Sequence, residues 1–360
     1  MIWEPVFVGV PLQVTMNLTF LTQLLQFILG LAALILLHEF GHFIVARLLH
    51  VEVEEFGIGF PPRLAKLFEA GGTVFTLNWI PLGGFVRPKG ENDPEVPGGL
   101  AATSPWTRLA VLLAGPFMNI MIGILLGILL FYSFGDPIES KVQVEQVAPN
   151  SPAAESGLRP GDLIVQINGQ VVDSSDKLQN IVSANLDQPI SLVYQRKGQT
   201  HTITLTPRSS HPENEGAIGI LMGHPTRPIG LTKAVSQGSY LAYENVRGIL
   251  LLPIHYIRGN TTPSEGRLVG YKGMFDIYQQ IRSPLYFFMA ISISLGVLNL
   301  FPIPALDGGR ILLTLPEILV RRRIPPQYEN MIHLVGFTLL LILLIYINLQ
   351  DFINPLQLPK

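Results

Sequence analysis

Three stretches of this chain, residues 24–49, 109–134 and 331–347, run almost without charge for about the length a helix needs to cross a bilayer core, roughly 20 residues. A backbone in lipid finds no water to bond, so such stretches must be helical. A fourth stretch, 285–300, reaches that length only with its apolar flanks, and Pro302 and Pro304 must distort its end. Composition agrees with a chain built for the membrane. Of 360 residues 48% are hydrophobic and only 14% charged, and the mean hydropathy is +0.39, too apolar for an ordinary soluble protein. The expectation is an α-helical polytopic membrane protein with four transmembrane helices, at 18–49, 106–134, 284–310 and 330–350.

Lys and Arg gather in short cytoplasmic loops, which gives an orientation. Arg47, Arg63, Lys66, Arg87, Lys89 and Arg108 lie between the first two spans, and Arg310, Arg321, Arg322 and Arg323 between the last two. Both termini are therefore expected outside the cytoplasm, together with the long stretch between spans two and three. The first 17 residues read as a lead-in and make a poor signal peptide, with no Lys or Arg ahead of the apolar run. The last ten, 351–360, read as a tail. The net charge of −2 offers nothing to nucleic acid, which is set aside. Cysteine is absent, so His, Asp and Glu are the strong metal ligands available.

Two segments break the helical pattern. Residues 50–105 are too polar to span and too apolar for a free loop. Strand-like 73–80 followed by Pro81-Leu82-Gly83-Gly84-Phe85 reads as a β-hairpin lying in or against the membrane on the cytoplasmic side. Residues 138–220 alternate in short runs with turns at Asn168-Gly169 and Lys197-Gly198, the pattern of an inserted β-rich domain. Residues 221–283 read as an extracytoplasmic juxtamembrane region, with 240–257 on the outer membrane surface, and 311–329 as a cytoplasmic loop.

Within the first span stands His38-Glu39-Phe40-Gly41-His42. On a helix two histidines four apart share a face and can share a metal, while Glu39 lies about 100° round the axis, placed to act on a metal-bound water without being a ligand. Ionisable groups inside a span are costly, which marks them as functional; the alternative is that they line a helix interface as hydrogen-bonding residues. A catalytic zinc commonly takes three protein ligands, and Asp307 in Leu306-Asp307-Gly308-Gly309-Arg310 is the best third, since it falls at the same depth as the histidines. The alternative there is a plain turn between helices.

His38-Glu39-Phe40-Gly41-His42 together with Asn299-Leu300-Phe301-Pro302-Ile303-Pro304-Ala305-Leu306-Asp307-Gly308-Gly309-Arg310 resembles the paired signature of the site-2 protease family, closest to the bacterial regulator of sigma-E protease type. Gly115-Pro116-Phe117-Met118-Asn119 resembles that group's second-span motif, and Gly83-Gly84-Phe85-Val86 its membrane-associated hairpin. The insert resembles a single PDZ domain through Ser151-Pro152-Ala153-Ala154, Gly157-Leu158-Arg159-Pro160-Gly161-Asp162 and Ile167-Asn168-Gly169. The resemblance implies an intramembrane zinc metalloprotease with Zn2+ on His38, His42 and Asp307 and Glu39 as general base. It implies a single-span substrate, such as an anti-sigma factor or a signal-peptide remnant, after a prior cut by a site-1 protease. It also implies a bacterial inner membrane, with the active site towards the cytoplasm. Asn119 and Asn299 are expected to contact the substrate backbone or the developing oxyanion, or else to hydrogen-bond between helices. The rival reading is a catalytically inactive membrane scaffold that binds partners through its PDZ-like domain.

Overall fold

The computed structural model describes residues 18–212, 215–259, 267–281 and 283–355, the side chain of Leu82 excepted. The lead-in expected at 1–17 lies outside the described residues. The elements run in the order α1 Leu18–Leu48, β1 Val53–Ala70, β2 Thr73–Pro88, α2 Pro105–Phe134, β3 Asp136–Pro137, β4 Val142–Val147, α3 Pro152–Glu155, β5 Leu163–Ile167, β6 Gln170–Val171 and α4 Ser175–Ala184. There follow β7 Ile190–Arg196, β8 Gln199–Leu205, β9 Ile220–Gly223, β10 Thr226–Arg227, α5 Leu231–Ile257, α6 Tyr271–Gln280, α7 Pro284–Asn299, α8 Asp307–Val320 and α9 Pro326–Ile353.

Three helices, α1, α2 and α9, are long and apolar enough to cross a membrane. The fourth apolar helix, α7, has 16 residues; at 1.5 Å per residue it is about 24 Å long, short of the roughly 30 Å hydrocarbon core. The helix expected to run to 310 instead ends at Asn299, because Pro302 and Pro304 cannot continue it. Residues 300–306 are irregular, and the expected loop 311–329 contains most of a new helix, α8.

The hub is α2. Ser104 caps it by accepting the amide of Thr107, Pro105 opens its first turn, and Gly135 in the left-handed region closes it. Its Gly123 lies against Met289 and Ile293 of α7, and its Gly127 against Gly238 of α5. The Gly-x-x-x-Gly spacing thus serves close packing of two different helices. The stretch 240–257, expected on the outer membrane surface, belongs to a longer helix whose Leu241 and Ala242 are buried among Leu130, Phe131 and Met289.

The hairpin of β1 and β2 folds over on itself. Residues 55–58 pair with 84–87 on one side and with 74–77 on the other, and 74–77 pair again with 65–69. Segment 74–77 is therefore interior, and 84–88 forms an edge. Glu55 is buried between these segments. Burial pushes its carboxyl up, but hydrogen bonds from Thr76 and Arg63 and the charges of Arg63 and Arg87 outweigh it and hold the group below its ordinary range.

The inserted domain is a sheet in the order β8-β7-β5-β4-β9, with β6 on β5. Alternation puts Ile190, Leu192 and Tyr194 of β7 inward with Val142, Val144, Ile164, Ile167 and Leu178. Each such aliphatic side chain contributes about 1.5–3 kcal/mol when fully buried. Asp162, almost fully buried, takes both prongs of Arg196 at 2.7 Å. A two-stranded neck joins the domain to the helices: β3 pairs with β10, Thr226 opposite Pro137.

Three contacts tie residues 91–108 to the region around α8. Arg108 pairs with Glu317, Arg310 pairs with Glu91, and Arg323 donates to the carbonyl of Ala101 at 2.7 Å.

Candidate metal centre

His38 and His42 stand one turn apart on α1, where the rings meet edge to face and their Nε2 atoms are 3.2 Å apart. Close approach of α2 makes this possible. A side chain at Gly41 would strike the backbone of Ala114, and one at Gly115 would strike both imidazoles. Two glycines, one on each helix, let the ring-bearing face of α1 press against α2.

Asp307 arrives from the far end of the sequence. Beyond the α7 terminus the chain turns so tightly that any side chain at Gly308 or Gly309 would collide with the carbonyls of Leu300, Phe301 or Ile303. Ala305 takes a positive φ of 74°, unusual for a residue with a Cβ. Its amide donates to Nδ1 of His333 on α9 at 3.0 Å, which holds the strained residue in place. Asp307 then opens α8, with Oδ2 3.1 Å from His38 Nε2 and 3.5 Å from His42 Nε2.

The ligand atoms of His38, His42 and Asp307 all lie within 4.8 Å of one another. Two donors about 2.0–2.1 Å from one tetrahedral zinc lie roughly 3.3 Å apart. The observed separations of 3.1, 3.2 and 3.5 Å bracket that figure. Donor type and spacing both fit Zn2+, with a fourth position left for water or substrate. The Nδ1–H of His42 donates to the carbonyl of Val111 at 2.7 Å, which leaves its Nε2 lone pair facing the other two ligands.

Glu39 is half-buried beside this group, and its Oε2 accepts the amide of Val86 at 3.1 Å. Gly84 lets the 84–88 edge come this close, since a Cβ there would meet Leu36 and approach Glu39. Asn119 is wholly buried, with its amide nitrogen 3.2 Å from Nδ1 of His38. Asn299 is the last residue of α7 and only partly buried. Sequence reasoning missed the carbonyl of Val111 and the amide of Val86, which are backbone groups with no signature of their own. It also missed His333, an ionisable residue in an apolar stretch that carried the same signal as His38.

The chain matches Peptidase family M50 over residues 26–343. Among curated proteins it is 34% identical over 334 residues to a protein of Clostridium perfringens named as a zinc metalloprotease, covering 91% of this chain and 98% of the relative. Zinc metalloprotease RasP of Oceanobacillus iheyensis is 27% identical over 426 residues, covering 92% and 99%. Among solved structures, the PDZ domain of an SdrC-like protein of Listeria innocua is 27% identical with a TM-score of 0.21, covering 25% of this chain and 96% of that one.

Proposed function

The chain belongs to peptidase family M50, and from that premise we propose that His38, His42 and Asp307 hold its zinc ion while Glu39 moves the proton in peptide-bond hydrolysis within a membrane. It is a zinc metalloprotease, and its apolar helices make it a membrane protein. The observation that carries the assignment of residues is the convergence of three ligand atoms within 4.8 Å beside a carboxylate on the same helix.

When bound, zinc polarises the scissile carbonyl and makes a water more acidic. Glu39 would take a proton from the attacking water and return it to the leaving amine, the usual double duty of a general base. The Val86 amide fixes the carboxylate in position for both steps. His42 is held in its ligating tautomer by Val111.

A helix keeps its carbonyls bonded internally, so a membrane-spanning substrate must unwind before it is cut. Strand 73–80 offers no edge to the unwound segment, since 74–77 are paired on both sides. The edge 84–88, bonded to Glu39, takes that place, and an extended substrate laid along it passes the metal centre. The remaining assignments are a fourth membrane element made of α7 and the irregular 300–306, and extracytoplasmic termini. They include a PDZ-like inserted domain on that outer side, which admits single-span substrates such as anti-sigma factors or signal-peptide remnants after a prior cut by a site-1 protease. The membrane is the bacterial inner membrane, with the metal centre towards the cytoplasm. The distribution of Lys and Arg along the sequence supports this orientation.

The test is Glu39→Gln in proteoliposomes with a single-span reporter. Zinc content should match the parent, and cleavage should fall about 100-fold or more. Undiminished cleavage would remove Glu39 from the chemistry and leave the scaffold reading of these residues standing. In parallel, His38→Ala and Asp307→Asn should lose zinc by metal analysis; full retention by Asp307→Asn would take that residue off the metal.

A further inference from the structure

We propose that Asn119 is the positioning residue of the metal centre: its side-chain carbonyl accepts the Nδ1–H of His38 and so keeps the Nε2 lone pair aimed at the metal. The inference rests on the zinc assignment above and gives Asn119 a role other than substrate contact. Two independent observations carry it. Asn119 is 0% exposed and its Oδ1 has no hydrogen-bond partner among the described residues. Its amide nitrogen faces Nδ1 of His38 at 3.2 Å.

These belong to a metal-free arrangement. There the amide donates to Nδ1, the single proton of neutral His38 sits on Nε2 and points to Asp307 at 3.1 Å, and Oδ1 is stranded. For Nε2 to ligate, that proton must stand on Nδ1 instead, where it would confront the amide N–H groups. Half a turn of the amide brings Oδ1 to Nδ1, where it receives Nδ1–H, while the amide nitrogen takes the place that Oδ1 held. With the metal on Nε2, an acceptor on Nδ1–H holds His38 in its ligating tautomer.

The surroundings fit this role. Val111, Gly115 and Asn119 form one stripe of α2 at spacings of four, the first serving His42, the second making room for both rings and the third serving His38. Ser292 of α7 donates to the backbone carbonyl of Asn119 at 2.8 Å, and Gly296 leaves room for its Cβ at 3.3 Å. With α7 on one side and α1 on the other, the side chain is fully enclosed.

The experiment compares Asn119→Leu, which removes the acceptor at similar volume, with Asn119→Asp, which keeps one. Both are made in the full chain in detergent, with zinc affinity read by chelator competition and the ligand field by the absorption spectrum of the cobalt form. Thermal midpoints of the metal-free proteins report on folding. Asn119→Leu should bind zinc about 10- to 100-fold more weakly, with a shifted cobalt spectrum, and Asn119→Asp should stay near the parent in both. If Asn119→Leu holds zinc as the parent does and loses only cleavage, Asn119 is a substrate contact and the proposal fails. If Asn119→Asp is as weak as Asn119→Leu, the acceptor is not what matters, and the proposal fails again. A parent protein that binds no zinc would instead overturn the metal assignment on which both readings stand.

Discussion

At residue 115 a single hydrogen atom stands where any other amino acid has a carbon, and the rings of His38 and His42 occupy the space. A Cβ there would lie 2.7 Å from Cε1 of His42 and 2.8 Å from Cε1 of His38, and the neighbours cannot yield without leaving Asp307. Gly115→Ala is therefore expected to keep its helix content by circular dichroism while its zinc content falls from about one per chain to well below half of that. Equal zinc in the variant would mean that α1 and α2 can part without cost to the site. The sequence shows this glycine only as part of Gly115-Pro116-Phe117-Met118-Asn119. That it makes room for rings 73 and 77 positions earlier follows from helix packing, which no local pattern records. His38 and His42 were legible because helical spacing alone puts them on one face.

Among the elements, the neck between the helices and the inserted domain invites the next prediction. Asp136 of β3 accepts from Lys233 at 2.7 Å and from Arg227 of β10 at 3.0 Å. The Lys233 hydrogen bond, foremost, and then the Arg227 contacts hold its carboxyl below the ordinary range, although partial burial opposes them. A lowered folded-state pKa means that the stabilisation is complete above the unfolded value, about 3.9, and is lost as pH falls through the lower folded one. Amide exchange around 224–233 should be steady from neutral pH down to about 4 and quicken below it, after correction for intrinsic rates. Asp136→Asn should exchange faster at neutral pH and show no such acid step; an unchanged profile in that variant would clear Asp136 of any part in the neck. Elements of this kind were only partly legible. The strands of the inserted domain announce themselves by alternation, as in Ile190, Leu192 and Tyr194, whereas two-residue β3 and β10 carry no pattern and exist because their ends meet. The end of α7 is similar: Pro302 and Pro304 forecast distortion, but the fresh start at Asp307 depends on glycines folding back against carbonyls.

For the whole molecule, the inserted domain has its own core and departs and returns through adjacent strands, with Thr226 opposite Pro137. Replacing 138–224 by a short flexible linker should therefore leave zinc content unchanged and change which reporters are cut, pre-trimmed against full-length. Loss of zinc on that deletion would show that the helices cannot assemble alone. Apolar helices were legible wherever one is exposed along its length, as α9 is. They were least legible at α7, which is short and inward-facing with Met289 and Ile293 fully buried. His38 and His42 lie near the start of the chain and Asp307 near its end, with the entire inserted domain between them. At about 5–20 residues per second of synthesis, His38 and His42 wait on the order of tens of seconds for Asp307. The nascent chain carries Glu39 and both histidines long before the three side chains can converge, so a chain that stalls anywhere in the middle lacks that convergence.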